Sequence, residues 1–129
     1  MKPVVLDLRG EQGSQCWSSD LEAKTEIFSR FCRRKLRVMC LSLCGGSHPV
    51  LTIYQYHKGR ISVLGGWTLE AACYETVIAE ARRAAAEARC HYLAITDRLY
   101  RDEQLLCLIF PHLLRNELTE DQMAIMDIL

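Results

Sequence analysis

The sequence predicts an α+β fold in a single domain, with a small, mostly antiparallel sheet of four or five strands, one long helix packed on a face of the sheet, and helices near both termini. Two patterns carry this prediction: a β-hairpin pattern in the middle of the chain and an alanine-rich amphipathic pattern directly after it. The length of 129 residues agrees with one domain, because such a chain buries roughly two-thirds of its unfolded surface and needs no metal or disulfide to fold.

The N-terminal residues 1–18 are expected to form a mobile or loosely docked arm ahead of a single domain at 19–129. A short apolar run at residues 4–6 leads there into polar residues without periodicity. A serine or aspartate at 18–20 then provides a cap for a first helix, which is predicted to extend to about Arg34.

Three strands are predicted next. The first covers residues 36–44 and ends at the Gly-Gly-Ser-His-Pro segment at 45–49. Residues 50–57 and 61–64 are rich in β-branched and aromatic side chains and form a hairpin across the turn at 57–60. Gly65 and Gly66 are expected to end the sheet, and Thr68 to cap the helix that follows.

The long helix is predicted over residues 69–89. Its small and apolar residues fall on one side of a helical wheel, with charged residues on the other side. The members of this apolar stripe are Tyr74, Val77, Ile78, Ala81, Ala84, Ala85 and Ala88. Because the stripe is narrow and mostly alanine, the helix should approach a sheet or a partner helix closely.

The C-terminal part of the domain is predicted to hold two more strands and a helix. Residues 92–96 form the first strand, and residues 105–110 form either a strand, which Pro111 ends, or a helix. Thr119 and Gln122 have the spacing of a capping box, which predicts a final helix over 120–129.

The seven cysteines are an odd number, and most of them lie within apolar runs. We expect them to be buried and reduced rather than paired as disulfides. No apolar run is long enough for a membrane span or a signal peptide, so the expected location is the cytoplasm. The sequence gives no reason to expect a cofactor.

A group of cations lies where the first helix meets the first strand. Its members are Arg30, Arg33, Arg34, Lys35 and Arg37. Cations of this kind stabilise a helix C-terminus, which is the simpler interpretation, and the alternative is an anion- or nucleic-acid-binding patch. The 16 basic and 16 acidic residues give a net charge of +0, which argues against non-specific nucleic-acid binding by the whole chain but not against a local patch.

Two cysteine-based sites are weak candidates. Cys40, Cys44 and His48 have the residue types of a zinc site, although their spacing matches no common zinc finger and a buried thiol explains Cys40 more simply. Cys90 and His91 place a thiol beside a base, as a cysteine nucleophile requires. No P-loop, dinucleotide-binding glycine motif or nucleophile elbow is present in the sequence.

The predicted order α-β-β-β-α over residues 20–90, with a Gly- and His-containing loop after the first strand, resembles the double-stranded-RNA-binding domain. That resemblance implies phosphate contacts from lysines at the start of the second helix. The corresponding residues here are Thr68, Leu69, Glu70, Ala71 and Ala72, so the lysine cluster is missing.

We expect a small regulatory or adaptor protein without enzymatic activity, acting through protein–protein binding. The alternatives are a nucleic-acid-binding module and a small thiol- or zinc-dependent enzyme. A homodimer is expected, because residues 105–110 and the C-terminal residues have more apolar surface than one small sheet can cover. The expected contact residues are Met123, Met126, Ile128 and Leu129, together with the basic group. The acidic C-terminal segment also provides a complement to the basic group of a second subunit.

Overall fold

The computed structural model describes residues 2–9, 28, 30–32, 34–43, 48–57, 60–70, 73–97, 109, 113 and 117–127. Within these residues the strands are β1 (Val4–Asp7), β2 (Leu36–Ser42), β3 (Val50–His57), β4 (Arg60–Thr68) and β5 (Tyr92–Thr96). The helices are α1 (Tyr74–Glu87) and α2 (Glu120–Asp127). The α+β class is therefore as predicted.

The sheet is mixed rather than mostly antiparallel. Its strand order is β1-β5-β2-β3-β4; β3 is antiparallel to both neighbours, whereas β5 is parallel to both β1 and β2. The physical reason is the connection through α1, whose 14 residues span about 21 Å and carry the chain back across the sheet to the far side of β2. Local sequence patterns predict β2, β3, β5 and the first part of β4, but neither β1 nor this crossover.

The N-terminal arm does not remain loosely docked along its whole length. Residues Val4–Asp7 pair with β5 as an edge strand, and the side chains of Leu6 and Leu8 are buried. The fully buried strand β5 provides the backbone hydrogen-bond partners of β1 by parallel pairing. No local pattern in the sequence predicts this pairing. Most of the remaining arm, and most of the predicted first helix, lie outside the described residues; Phe28, Arg30 and Phe31 are helical.

The hairpin of β3 and β4 is confirmed, with His57 opposite Arg60. The prediction that Gly65 and Gly66 end the sheet is wrong, because β4 continues through both glycines to Thr68. Gly66 lies so close to β3 that an added Cβ would be 3.3 Å from the Leu51 carbonyl oxygen. The predicted cap at Thr68 is wrong as well: Thr68 is still paired in the strand, and α1 begins at Tyr74 after Cys73.

The core lies on both faces of the sheet. On one face, which we call the α1 face, Val77, Ala81 and Ala85 of the predicted alanine stripe are buried against β2, β3 and β5. The opposite face is covered by a second cluster that includes Phe28, Tyr56, Tyr92, Ile109, Leu113 and Leu118. The small side chains of α1 therefore provide the close approach that the sequence predicted.

The C-terminal predictions have different outcomes. The capping box is confirmed: the Thr119 N–H donates to Gln122 Oε1 at 2.9 Å, and the Gln122 N–H donates to Thr119 Oγ1 at 3.3 Å. In the segment 105–110 the strand alternative is wrong at Ile109, which is helical and buried beside Leu113 on the face opposite α1. The other residues of that segment lie outside the described residues.

Candidate functional site

The basic group is divided by the fold. Arg30 and Lys35 are exposed, and Arg33 lies outside the described residues. Arg34 forms an ion pair with Glu117, with 2.5 Å between Nη2 and Oε1. This ion pair joins the start of β2 to the segment that leads into α2, so this cation already has an intramolecular partner.

Arg37 has a structural contact of a different kind. Its Nη1 donates to the carbonyl oxygen of Ala88, the C-cap residue of α1, at 2.7 Å. The last turn of α1 contains no basic residue of its own. Arg37 therefore supplies positive charge from the neighbouring strand to the negative end of the helix dipole. Sequence analysis assigned the basic group to the end of the first helix, whereas this contact is to the end of α1.

The Cys90–His91 pair is held in a way that opposes nucleophilic chemistry. Cys90 is fully buried, and burial raises the pKa of its thiol to about 11. Burial, with Arg34 nearby, lowers the pKa of His91, and His91 Nδ1 accepts a hydrogen bond from the Arg37 backbone N–H at 3.0 Å. A thiol with such a high pKa supplies little thiolate at neutral pH.

The zinc candidates lie in unlike surroundings. Cys40 is buried in β2, with its Sγ 3.8 Å from Thr96 Oγ1, whereas His48 is exposed before β3. Cys44 lies outside the described residues. In the part of the chain that the structure describes, no three His, Cys, Asp or Glu side chains group together as metal ligands.

The described cysteines outside these candidates also form no disulfide. Cys32 is buried and Cys73 is exposed, and both are free thiols, as are Cys40 and Cys90. Burial raises the pKa of Cys32, with Glu117 adding to the effect. A side-chain hydrogen bond with Thr76 lowers the pKa of Cys73 at the N-cap of α1. Three of these four thiols are buried as the sequence predicted, and Cys73 is the exception.

The C-terminal contact residues are only partly described. Met123 and Met126 lie on α2, and Ile128 and Leu129 lie outside the described residues. Ile125 on the same helix is 46% exposed. The role of these four residues as partner contacts therefore stays a prediction.

A basic cleft lies between β1 and α1, and sequence analysis missed it. Its volume is about 430 Å³, and its lining includes Lys2, Arg82 and Arg83 around Pro3, Val5 and Ala86. Arg82 and Arg83 point away from the buried stripe of α1 and are exposed. The residues that line the cleft from β1 and from α1 are far apart in sequence. In the sequence alone, only the adjacent Arg82 and Arg83 indicate a basic surface.

Within the part of the chain that the structure describes, β4 forms one of the two edges of the sheet and exposes the larger apolar side chains of the two. Most residues of this strand are exposed, including Val63 at 57%, Leu64 at 48% and Trp67 at 40%. α1 packs mainly on β5 and on the central strand β2, whereas β4 lies two strands away from β2 at the end of the sheet and is less covered by the core layers. Sequence analysis missed this surface because it ended the strand at the glycines, before Trp67.

Outward-facing backbone groups of an edge strand are available to another strand, and β4 combines them with large apolar side chains. Arg60 at its start and Glu70 just after its end are exposed charges at the two ends of this segment. Neither has an ion pair with another described residue. We refer to residues 60–70 as the β4 edge. A long, apolar edge of this kind favours association with another chain.

Comparisons with known proteins give no family assignment: no family model, no curated protein and no solved structure matches this chain. Among the described residues, no helix has the length and apolar character that a membrane span requires.

Proposed function

We propose that this chain is a small cytoplasmic regulatory or adaptor protein that acts through protein–protein binding and has no enzymatic activity of its own. The observation that carries the proposal is the β4 edge, with Val63, Leu64 and Trp67 exposed on a strand at the end of the sheet. Strand addition at such an edge supplies affinity through backbone hydrogen bonds and specificity through the side chains between them.

The β4 edge is a better main contact than the C-terminal segment on which the sequence prediction depends. The structure gives the exposure of its apolar side chains, and its strand is fixed by pairing with β3 at every residue except Leu64. A contact surface that is already ordered loses little conformational entropy when a partner binds. We propose the exposed cations Arg30 and Lys35 and the residues of α2 as secondary contacts of the same partner.

Site-specific photo-crosslinking in cells of the native host tests this proposal. A photoreactive amino acid replaces Val63 in one variant and Glu75, an exposed residue at the start of α1, in the control. We expect protein adducts from position 63 and few from position 75, identified by mass spectrometry. Equal yields from both positions, or adducts that disappear on nuclease treatment, would contradict protein binding at the β4 edge.

The basic cleft favours a second candidate function, the binding of a nucleic acid. Lys2, Arg82 and Arg83 place three cations around one concave surface, and such a group attracts phosphates even when the net charge is zero. The test is retention on immobilised RNA and DNA at low salt, with the variant R82E/R83E as comparison. Salt-sensitive retention that the variant loses supports this candidate, and no retention of the unmodified protein removes it.

A further inference from the structure

We propose that the occupant of the β4 edge is the β4 edge of a second copy of this chain, paired antiparallel about a two-fold axis that passes between Leu64 and Gly65. This inference rests on the proposed function, because it names the partner of the same surface. Three properties of the strand carry it: its bulge, the sizes of its side chains and the charges at its two ends.

The bulge limits where the axis can pass. Leu64 is the extra residue, since Val63 pairs with Tyr54 and Gly65 with Ile53. Side chains alternate between the faces of a strand, and a bulge shifts this alternation by one residue. Before Leu64 the odd-numbered residues therefore lie on the face opposite α1, and after it the even-numbered residues do.

Residues directly opposite each other in an antiparallel pair lie on the same face. In a symmetric pair of such bulged strands, residues before Leu64 come opposite residues after Leu64. The two residues of such a pair lie on the same face only when the axis passes between two residues. An axis between Leu64 and Gly65 satisfies the condition, and it pairs all eight residues from 61 to 68. An axis between Val63 and Leu64 meets the same condition and pairs residues 60–67, but it places Arg60 opposite Trp67 and far from Glu70, so the charges at the two ends decide between these two registers.

This register also places large side chains opposite small ones. Trp67 lies opposite Ser62 of the second copy, and Val63 lies opposite Gly66 of the second copy. Each copy supplies both members of both pairs, so four such contacts form across the axis. Gly65 at the centre has open space around it, because an added Cβ would meet no atom within 4 Å.

The charges at the ends of the β4 edge are complementary in the same register. Arg60 of one copy comes opposite Leu69 of the other, one residue from Glu70 along the chain, and the symmetry repeats this proximity at the opposite end. Glu70 follows the last residue of β4, so strand alternation does not fix the direction of its side chain. Residues 61–69 between the two charges contain no charged side chain. An antiparallel arrangement therefore brings opposite charges near each other twice, whereas a parallel one places like charges together.

Light scattering after size exclusion, together with sedimentation equilibrium, tests the proposal on the full chain. We expect a concentration-dependent dimer that the variant Val63→Lys converts to monomer, because two lysines then lie close to the axis. Gly65→Lys is a second variant with the same expected result, since its side chain has room in the monomer. The control Glu75→Lys changes an exposed residue of α1 and should leave the dimer intact. Circular dichroism confirms that each variant is folded.

A charge exchange tests the register itself. Arg60→Glu or Glu70→Arg alone should raise the dimer dissociation constant roughly 2- to 30-fold, and the double variant should restore it. No restoration, or a Val63→Lys variant that still dimerises, overturns the inference. A chain that remains monomeric at about 100 μM also overturns it. If position 63 nevertheless crosslinks to a different protein, the proposed function stands without the dimer.

Discussion

Arg37 and His91 exchange two hydrogen bonds across the junction of β2 and the start of β5. The Arg37 backbone N–H donates to His91 Nδ1 at 3.0 Å, and the His91 backbone N–H donates to the Arg37 carbonyl oxygen at 2.8 Å. The Arg37 guanidinium reaches the Ala88 carbonyl oxygen from the same position. One residue of β2 thus secures both the end of α1 and the entry into β5, and stability at this junction is the first property to test.

The pH dependence of stability tests the role of His91. Burial lowers the pKa of His91 below its usual 6.5, so the unfolded chain takes up the proton first as the pH falls. The stability that neutral His91 contributes is fully present above pH 6.5 and is lost as the pH falls through the folded-state pKa. We expect the free energy of unfolding, measured by urea titration, to decrease over this range.

The variant His91→Asn is the matched comparison, because the Asn amide oxygen takes the place of Nδ1 as acceptor and does not titrate. The decrease in the free energy of unfolding below pH 6.5 should be smaller in this variant than in the unmodified protein. Identical pH profiles for the two proteins would show that His91 does not contribute to the pH dependence.

Replacement of Arg37 by Met should lower the free energy of unfolding by about 1–2 kcal/mol, because α1 loses a hydrogen bond and a positive charge at its C-terminus. Lys35→Met removes an exposed cation two residues away and should change stability by less than about 0.5 kcal/mol. Chemical denaturation of both variants measures the difference. Equal decreases in the free energy of unfolding would mean that the contact of Arg37 with Ala88 stabilises the fold no more than an exposed cation does.

The close approach of α1 to the sheet makes its alanines sensitive to added volume. Ala85 is fully buried, and Ala85→Leu should destabilise the fold by about 1–3 kcal/mol through overpacking. Ala86 is its exposed neighbour, and Ala86→Leu should have an effect within about 0.5 kcal/mol. Thermal unfolding compares the two variants. An unchanged unfolding temperature for Ala85→Leu would show that α1 packs less closely on the sheet than the structure indicates.

Cysteine reactivity should separate Cys73 from Cys90. Cys73 is exposed and its hydrogen bond with Thr76, at 3.0 Å between Sγ and Oγ1, lowers its pKa, whereas burial raises the pKa of Cys90 to about 11. Alkylation of the native protein, followed by peptide mass spectrometry, should modify Cys73 first and Cys90 only after unfolding.

The variant Thr76→Val keeps the shape of the Thr76 side chain and removes its hydroxyl. Alkylation of Cys73 near neutral pH should then become slower, because the thiolate loses its hydrogen-bond partner. An unchanged rate would assign the reactivity of Cys73 to exposure alone.

The sequence by itself determined the features that depend on local patterns. Alternation and turn residues gave the hairpin, the alanine stripe gave α1 and its packing face, and the Thr119–Gln122 spacing gave the capping box. These features are visible in sequence because each one depends on residues that are near one another along the chain.

Only the tertiary structure decided what depends on residues far apart in the chain. The parallel pairing of β1 with β5, the contact of Arg37 with the end of α1, and the position of β4 at the edge of the sheet all follow from the path of the chain after α1. Strand order also decides whether Val63 and Trp67 are covered, because an identical strand at the centre of the sheet would bury them. The β4 edge is therefore a property of the fold, although every residue that forms it is present in the sequence.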